Sequence, residues 1–172
     1  MKKLMFIFIA VIGFTITTKA QVNVSINIGT QPAWGPTGYD YVDYYYLPDI
    51  ESYYYVPGQV YIYKYGNSWR RSRTLPASYG HFDVYNCHKV VINGVNKPYL
   101  HHAKYRQEYV VYKGKHDQIP IRDSREEKYF QNRYHPQHDQ WKKDHPGKYK
   151  GDNRGKNKGY KGDKGNKHGD KH

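Results

Sequence analysis

Residues 41–73 read YVDYYYLPDIESYYYVPGQVYIYKYGNSWRRSR, and the turn residues inside this stretch decide the fold. Leu47-Pro48-Asp49 separates residues 41–46 from 52–56, Pro57-Gly58 separates the latter from 59–65, and Gly66-Asn67 leads into 68–73. Proline holds φ fixed and lacks a donor, while glycine and asparagine accept turn conformations that other residues avoid, so each break ends one strand and begins a tight turn. Eleven of the 27 residues from 39 to 65 are tyrosine, a composition that suits pleated strands and disfavours long helices. The expected architecture is mainly β, a small antiparallel sheet or meander. Along residues 59–65, Val60, Ile62 and Lys64 share one face and Tyr61, Tyr63 and Tyr65 the other, with both faces expected to be partly buried.

Upstream, residues 22–28 alternate strictly between Val or Ile and Asn or Ser, the pattern of a half-buried strand. Residues 29–38 contain Gly29, Gly35, Gly38, Pro32 and Pro36, which favour an irregular loop pinned to the body by Trp34. Downstream, residues 88–92 read as a strand closed by Asn93-Gly94, residues 109–112 as another, and residues 83–85 and 99–105 as weaker strand candidates. No helix of ordinary length is expected before residue 115. Aliphatic residues are few, so tyrosine rings must supply much of the buried area, each hydroxyl reaching water or a partner.

The two ends have a different character. Lys2 and Lys3, the apolar run 4–14 and Thr18-Lys19-Ala20 form the three parts of a cleavable secretory signal over residues 1–20, so the mature chain is expected to start at or near Gln21 and to work in the periplasm, on the outer surface or outside the cell. No later stretch is apolar enough for a transmembrane helix. Residues 21–113 then form a tyrosine-rich β domain, and residues 114–134 a linker in which Ser124-Arg125-Glu126-Glu127 has a capping-box pattern and points to a helix over 123–134. Residues 135–172, rich in Gly, Lys and His with almost nothing to bury, are expected to form a disordered basic tail. The 115–172 stretch carries 16 Lys and Arg against 9 Asp and Glu, compared with 9 against 6 in 21–114, so most of the positive excess sits at the C-terminal end. The single cysteine, Cys87, excludes an internal disulfide and reads either as a buried apolar residue or as a thiol for a partner.

Catalytic motifs are absent. There is no P-loop, no Gly-x-Ser-x-Gly and no His-Glu-x-x-His, and Cys87 and His88 are neighbours whose side chains diverge along a strand. The reading is therefore non-enzymatic, with no catalytic residue and no cofactor; the alternative is a hydrolytic, carbohydrate-active enzyme drawing on the body carboxylates Asp40, Asp43, Asp49, Glu51, Asp83 and Glu108. Tail histidines 135, 138, 145, 168 and 172 offer weak metal binding as a further class, without the four-ligand spacing of a metal site. Tyr61, Tyr63, Tyr65 and Trp69 beside Lys64, Arg70, Arg71 and Arg73 combine flat aromatic faces with cations, a set that either stacks on sugars or bases and neutralises acidic groups, or serves as cross-strand packing. The basic tail either attracts a polyanion such as acidic polysaccharide, lipopolysaccharide or extracellular nucleic acid, or only solubilises the chain.

The order Tyr44-Tyr45-Tyr46-Leu47-Pro48-Asp49, Ser52-Tyr53-Tyr54-Tyr55, Tyr61-Ile62-Tyr63, Asn67-Ser68-Trp69, Leu75-Pro76 and Pro98-Tyr99 resembles a group of uncharacterised tyrosine-rich exported bacterial proteins. These share a Tyr-Tyr-x-Pro-Asp element, short aromatic strands, a Gly-x-x-Trp turn and Leu-Pro. The resemblance spans roughly residues 39–109 and implies an all-β exported domain of unknown role, with no catalytic residues to carry over. Pro57-Gly58 and the long tail depart from it. The function expected from the whole chain is that of an exported structural or surface-binding protein with a polyanion-attracting tail.

Overall fold

The computed structural model describes residues 26–146. The turn-bounded tyrosine segments form four consecutive strands, β1 (Tyr44–Leu47), β2 (Ser52–Tyr55), β3 (Val60–Tyr65) and β4 (Ser68–Ser72), joined by β5 (Val90–Ile92). All pairings are antiparallel and the spatial order is β4-β3-β2-β1-β5. The domain is thus mainly β, as the turn chemistry predicts.

The consecutive tyrosines are explained by the position of their strands. β1 and β2 lie inside the sheet, and a strand covered on both faces needs apolar side chains at both parities rather than alternation. On the first face Tyr45, Leu47, Tyr54 and Tyr61 pack with Trp34, Val42, Val56 and Cys87; on the second, Tyr44, Tyr46, Tyr53, Ile62, Val90 and Ile92 pack with Tyr99 and Tyr105. Each buried aromatic removes on the order of 150–250 Å² from water but brings a hydroxyl along. Those hydroxyls are placed: Tyr45 donates to Gln31 Oε1 at 2.8 Å, Tyr53 Oη lies 3.2 Å from His102 Nδ1, and Tyr129 Oη accepts the Gly38 N–H. Among the described residues, no buried side-chain nitrogen or oxygen lacks a partner. Cys87 is buried, and that burial pushes its thiol up to about 12.

Several local expectations fail, some because a tertiary partner outweighs the local pattern and some because a nearby side chain captures the backbone first. The predicted strand at 22–28 is not formed over its described part: residues 22–25 lie outside the described residues, and Ile28–Thr30 is a 3-10 turn. Ile26 and Ile28 should share a face, yet Ile26 is 60% exposed and Ile28 is 2% exposed. Asn27 takes over instead, its amide donating to Val42 O at 2.7 Å and accepting Val42 N–H at 3.0 Å, while its own carbonyl receives Thr30 N and Gln31 N. Residues 83–85 form a turn in which Asp83 accepts the N–H groups of Tyr85 and Asn86.

The segments 99–105 and 109–112 are helical, not extended. A 3-10 turn at Pro98–His101 leads into α1 (His102–Tyr109), and Val110–Tyr112 continues as a second 3-10 turn. The expectation of no helix of ordinary length before residue 115 is corrected accordingly, since residues 98–112 coil without a break. Tyr105, Tyr109 and Tyr112 fall at helical spacing and lay one stripe over the second sheet face.

The C-terminal part differs most from expectation. Residues 114–134 are not a linker. Thr37 N donates to Ile119 O, Ile121 N to Gly35 O and Arg122 N to Ala33 O, and Pro36 bridges Pro120. The helix foreseen over 123–134 is a single turn, α2 (Glu127–Phe130), because Ser124 is extended and its hydroxyl accepts Glu126 N–H, leaving the chain free to bend and bury Ile121 and Tyr129 against Ile28. Order continues past 135: His135 and His138 are buried and α3 (His138–Asp144) follows. Asn132, fully buried, donates to Ile28 O at 2.7 Å and Gln31 O at 2.8 Å. Residues 147–172 of the predicted tail lie outside the described residues.

A candidate ligand cleft on the first sheet face

Strand register divides the predicted aromatic and cationic set. Because Tyr61 pairs with Ser72, Ile62 with Arg71 and Lys64 with Trp69, the side chains of Tyr61, Tyr63, Tyr65 and Arg70 project from the first face while Trp69 and Arg71 project from the second. On the second face Trp69 is a packing residue, edge-on to Tyr53 with ring centres 5.7 Å apart and to His102 at 5.2 Å. Arg71 Nη2 donates to Tyr99 Oη at 3.0 Å. Tyr65, 72% exposed, stands at the far end of the first face, and Tyr63 is half-buried with Tyr79 edge-on to it.

Tyr61 and Arg73 do come together. They line a cleft of about 300 Å³ with Pro32, Ala33, Trp34, Tyr54, Tyr85 and Tyr134. The floor comes from the sheet through Tyr54 of β2 and Tyr61 of β3, whose ring centres lie 4.8 Å apart at 67°. Trp34 comes from the N-terminal loop, 4.8 Å and 76° from Tyr54 and stacked on Tyr61 at 6.1 Å. The loop approaches closely because residue 35 is glycine: a Cβ there would stand 2.6 Å from Tyr45 Oη. Tyr85 and Tyr134 form the outer walls, and Tyr134 is 52% exposed.

Cations surround these walls. The Arg122 guanidinium sits 4.0 Å over the Tyr85 ring and is held by Asp123 through Nε at 2.7 Å and Nη2 at 2.9 Å. Arg133 lies 5.5 Å from the Tyr134 ring centre. No carboxylate lines the cleft. Burial pushes the Tyr54 phenol up to about 12 and raises that of Tyr61, so both hydroxyls stay neutral and the local charge is positive through arginine. Sequence spacing singles out Tyr61 and Arg73 but not Tyr54, Tyr85, Tyr134, Arg122 or Arg133. The last three sit in the segment read as linker, and nothing local to them signals a sheet-facing role.

A second cleft of about 280 Å³ lies at the end of the sheet, lined by Asp49, Ile50, Glu51, Lys64, Tyr79, His102 and Lys113. Its carboxylates are engaged: Asp49 Oδ1 accepts Gly114 N–H at 2.6 Å, and Glu51 meets Arg106 Nε at 3.2 Å and His102 Nε2 at 3.6 Å. Glu51 adopts a left-handed backbone with φ 49°, costly for a side chain bearing a Cβ and compatible with the β1–β2 turn. Desolvation lowers the His102 pKa, with Lys64 and Arg106 acting in the same direction and Glu51 opposing them. Among the described residues, no group of three or more His, Cys, Asp or Glu side chains is placed to hold a metal ion, and no helix is long and apolar enough to cross a membrane.

Compared with known proteins, the chain matches no family model, no curated protein and no solved structure.

Proposed function

We propose that the protein is an exported, non-enzymatic binding protein that holds a polyanionic polymer of the cell exterior, with the first-face cleft as the specific contact and the basic C-terminal end as a long-range attractor. The observation that carries this reading is the cleft itself: five aromatic side chains and Arg73 around about 300 Å³, with no carboxylate in the lining. Aromatic faces favour stacking, and unopposed guanidinium favours anions. Residues 147–172 add nine Lys and Arg against three Asp, a charge that accelerates encounter and weakens with salt.

The test compares the whole secreted chain with one ending at Pro146 in binding to an acidic polysaccharide across a salt series. Both forms are expected to bind, the shorter one with a shallower salt dependence. Failure of both to bind removes the proposal.

A hydrolytic, carbohydrate-active enzyme is the second reading, favoured by one observation: Asp49 and Glu51 line a single cleft with His102. Release of reducing ends from acidic glycan, lost in Glu51→Gln, would establish it.

A further inference from the structure

The first-face cleft has more specific chemistry than attraction of a polymer requires. Its lining is Pro32, Ala33, Trp34, Tyr54, Tyr61, Arg73, Tyr85 and Tyr134, with no amide side chain. On the Pro32–Ala33 side each backbone carbonyl already accepts one hydrogen bond, Pro32 O from Gly35 N at 2.9 Å and Ala33 O from Arg122 N at 2.9 Å. For a nucleobase the lining offers rings to stack on and single phenol hydroxyls, but no amide side chain to meet an adjacent donor and acceptor of its pairing edge together, and unpaired polar groups weaken binding. A pyranose ring differs: one face is apolar C–H surface suited to tyrosine and tryptophan, while its hydroxyls point outward to the open rim.

The size and the charge narrow the ligand further. About 300 Å³ is at the small end of ligand sites, room for one ring rather than an extended segment. Arg73 is exposed and no described ion pair holds its guanidinium, whereas Arg122 is clamped by Asp123. A free planar fork beside an aromatic wall matches a carboxylate attached to the ring.

We infer that the cleft binds a single uronate residue of an acidic glycan, its apolar face on the Tyr134 wall above the floor of Tyr54 and Tyr61, and its carboxylate on Arg73. This rests on the binding function proposed above and adds the ligand class. It also gives residues 114–146 a role, because Tyr134 supplies the outer wall from that segment.

The experiment is calorimetric titration of the whole secreted chain with short oligogalacturonate, a neutral oligosaccharide of equal length and an oligothymidylate of equal charge. Oligogalacturonate is expected to bind, with Arg73→Ala and Tyr134→Ala each weakening it about tenfold to a hundredfold. Arg125→Ala, an exposed arginine outside the cleft lining, should leave the affinity unchanged; thermal melts of all three variants establish that they fold. Equal affinity for the neutral sugar overturns the inference, because Arg73 is then unused. So does oligothymidylate binding that is equally sensitive to Arg73 and Tyr134, which would assign the cleft to nucleic acid. Oligogalacturonate binding insensitive to both substitutions also overturns it, while polysaccharide binding by the same chain would leave the broader reading standing.

Discussion

Tyr45, Tyr53 and Tyr129 are fully or almost fully inaccessible, and each works as a core residue because its hydroxyl meets a designated partner: Gln31, His102 and the Gly38 N–H. That tyrosine would supply the core follows from composition, but the partners do not. Gln31 is 14 residues from Tyr45, and His102 is 49 from Tyr53. His102 carries a measurable consequence. Burial opposes its protonation, Lys64 and Arg106 add to that, and Glu51 offsets only part, so its folded-state pKa lies below the usual 6.5. As the pH falls, the unfolded chain takes up this proton first, and stability is expected to decline from about pH 6.5 downward. Asp83, Asp117 and Asp123 are held low by hydrogen bonds from Tyr85 N–H, His88 and Arg122 respectively, so their contributions are lost only at more acidic pH. Urea unfolding of the protein and of His102→Gln between about pH 7 and about pH 5 isolates the effect. The decline should be smaller in the variant, and parallel declines would refute the assignment.

At the scale of elements, β1 to β4 follow from turn chemistry acting over a few residues, whereas residues 98–112 do not. Their tyrosines and valines favour strands locally, but the helical spacing of Tyr105, Tyr109 and Tyr112 covers a sheet face that would otherwise stay wet. Pro98 at the first turn was the available start signal. The sheet also needs its edge managed beside β5. Gln118 Oε1 accepts Lys89 N–H at 2.8 Å and its Nε2 donates to Lys89 O at 2.9 Å, so an amide side chain occupies the place of a neighbouring strand. Gln118→Ala is expected to cost about 1–3 kcal/mol and to speed amide exchange at Lys89. Unchanged exchange there would show that another group protects this edge.

At the scale of the whole molecule, the chain closes on itself. Residues 114–146 return to the N-terminal loop through Thr37, Gly35 and Ala33, and Asn132 reaches Ile28 across 104 positions. A chain ended at residue 113 exposes Ile28 and leaves the carbonyls of Ile28 and Gln31 without the Asn132 amide. It is expected to lose a cooperative thermal transition, whereas a chain ended at Pro146 should melt as the full protein does. Scanning calorimetry on the two forms decides, and equal melting of both would restore the segment to the status of a linker. The candidate site has the same dependence on closure. Tyr61 and Arg73 are legible because they belong to a locally patterned hairpin, but Trp34, Tyr85 and Tyr134 reach the cleft from three separate segments.

The amino-acid sequence by itself determined the meander, its turns and its reliance on tyrosine, because proline, glycine and alternation act within a few bonds of the backbone they direct. The tertiary structure alone decided that residues 98–112 coil rather than extend, that residues 114–146 belong to the body, and which aromatic rings share a cleft. Those outcomes turn on burial and on hydrogen bonds between residues distant in the chain, and such partners exist only once the sheet has formed and offers its two faces.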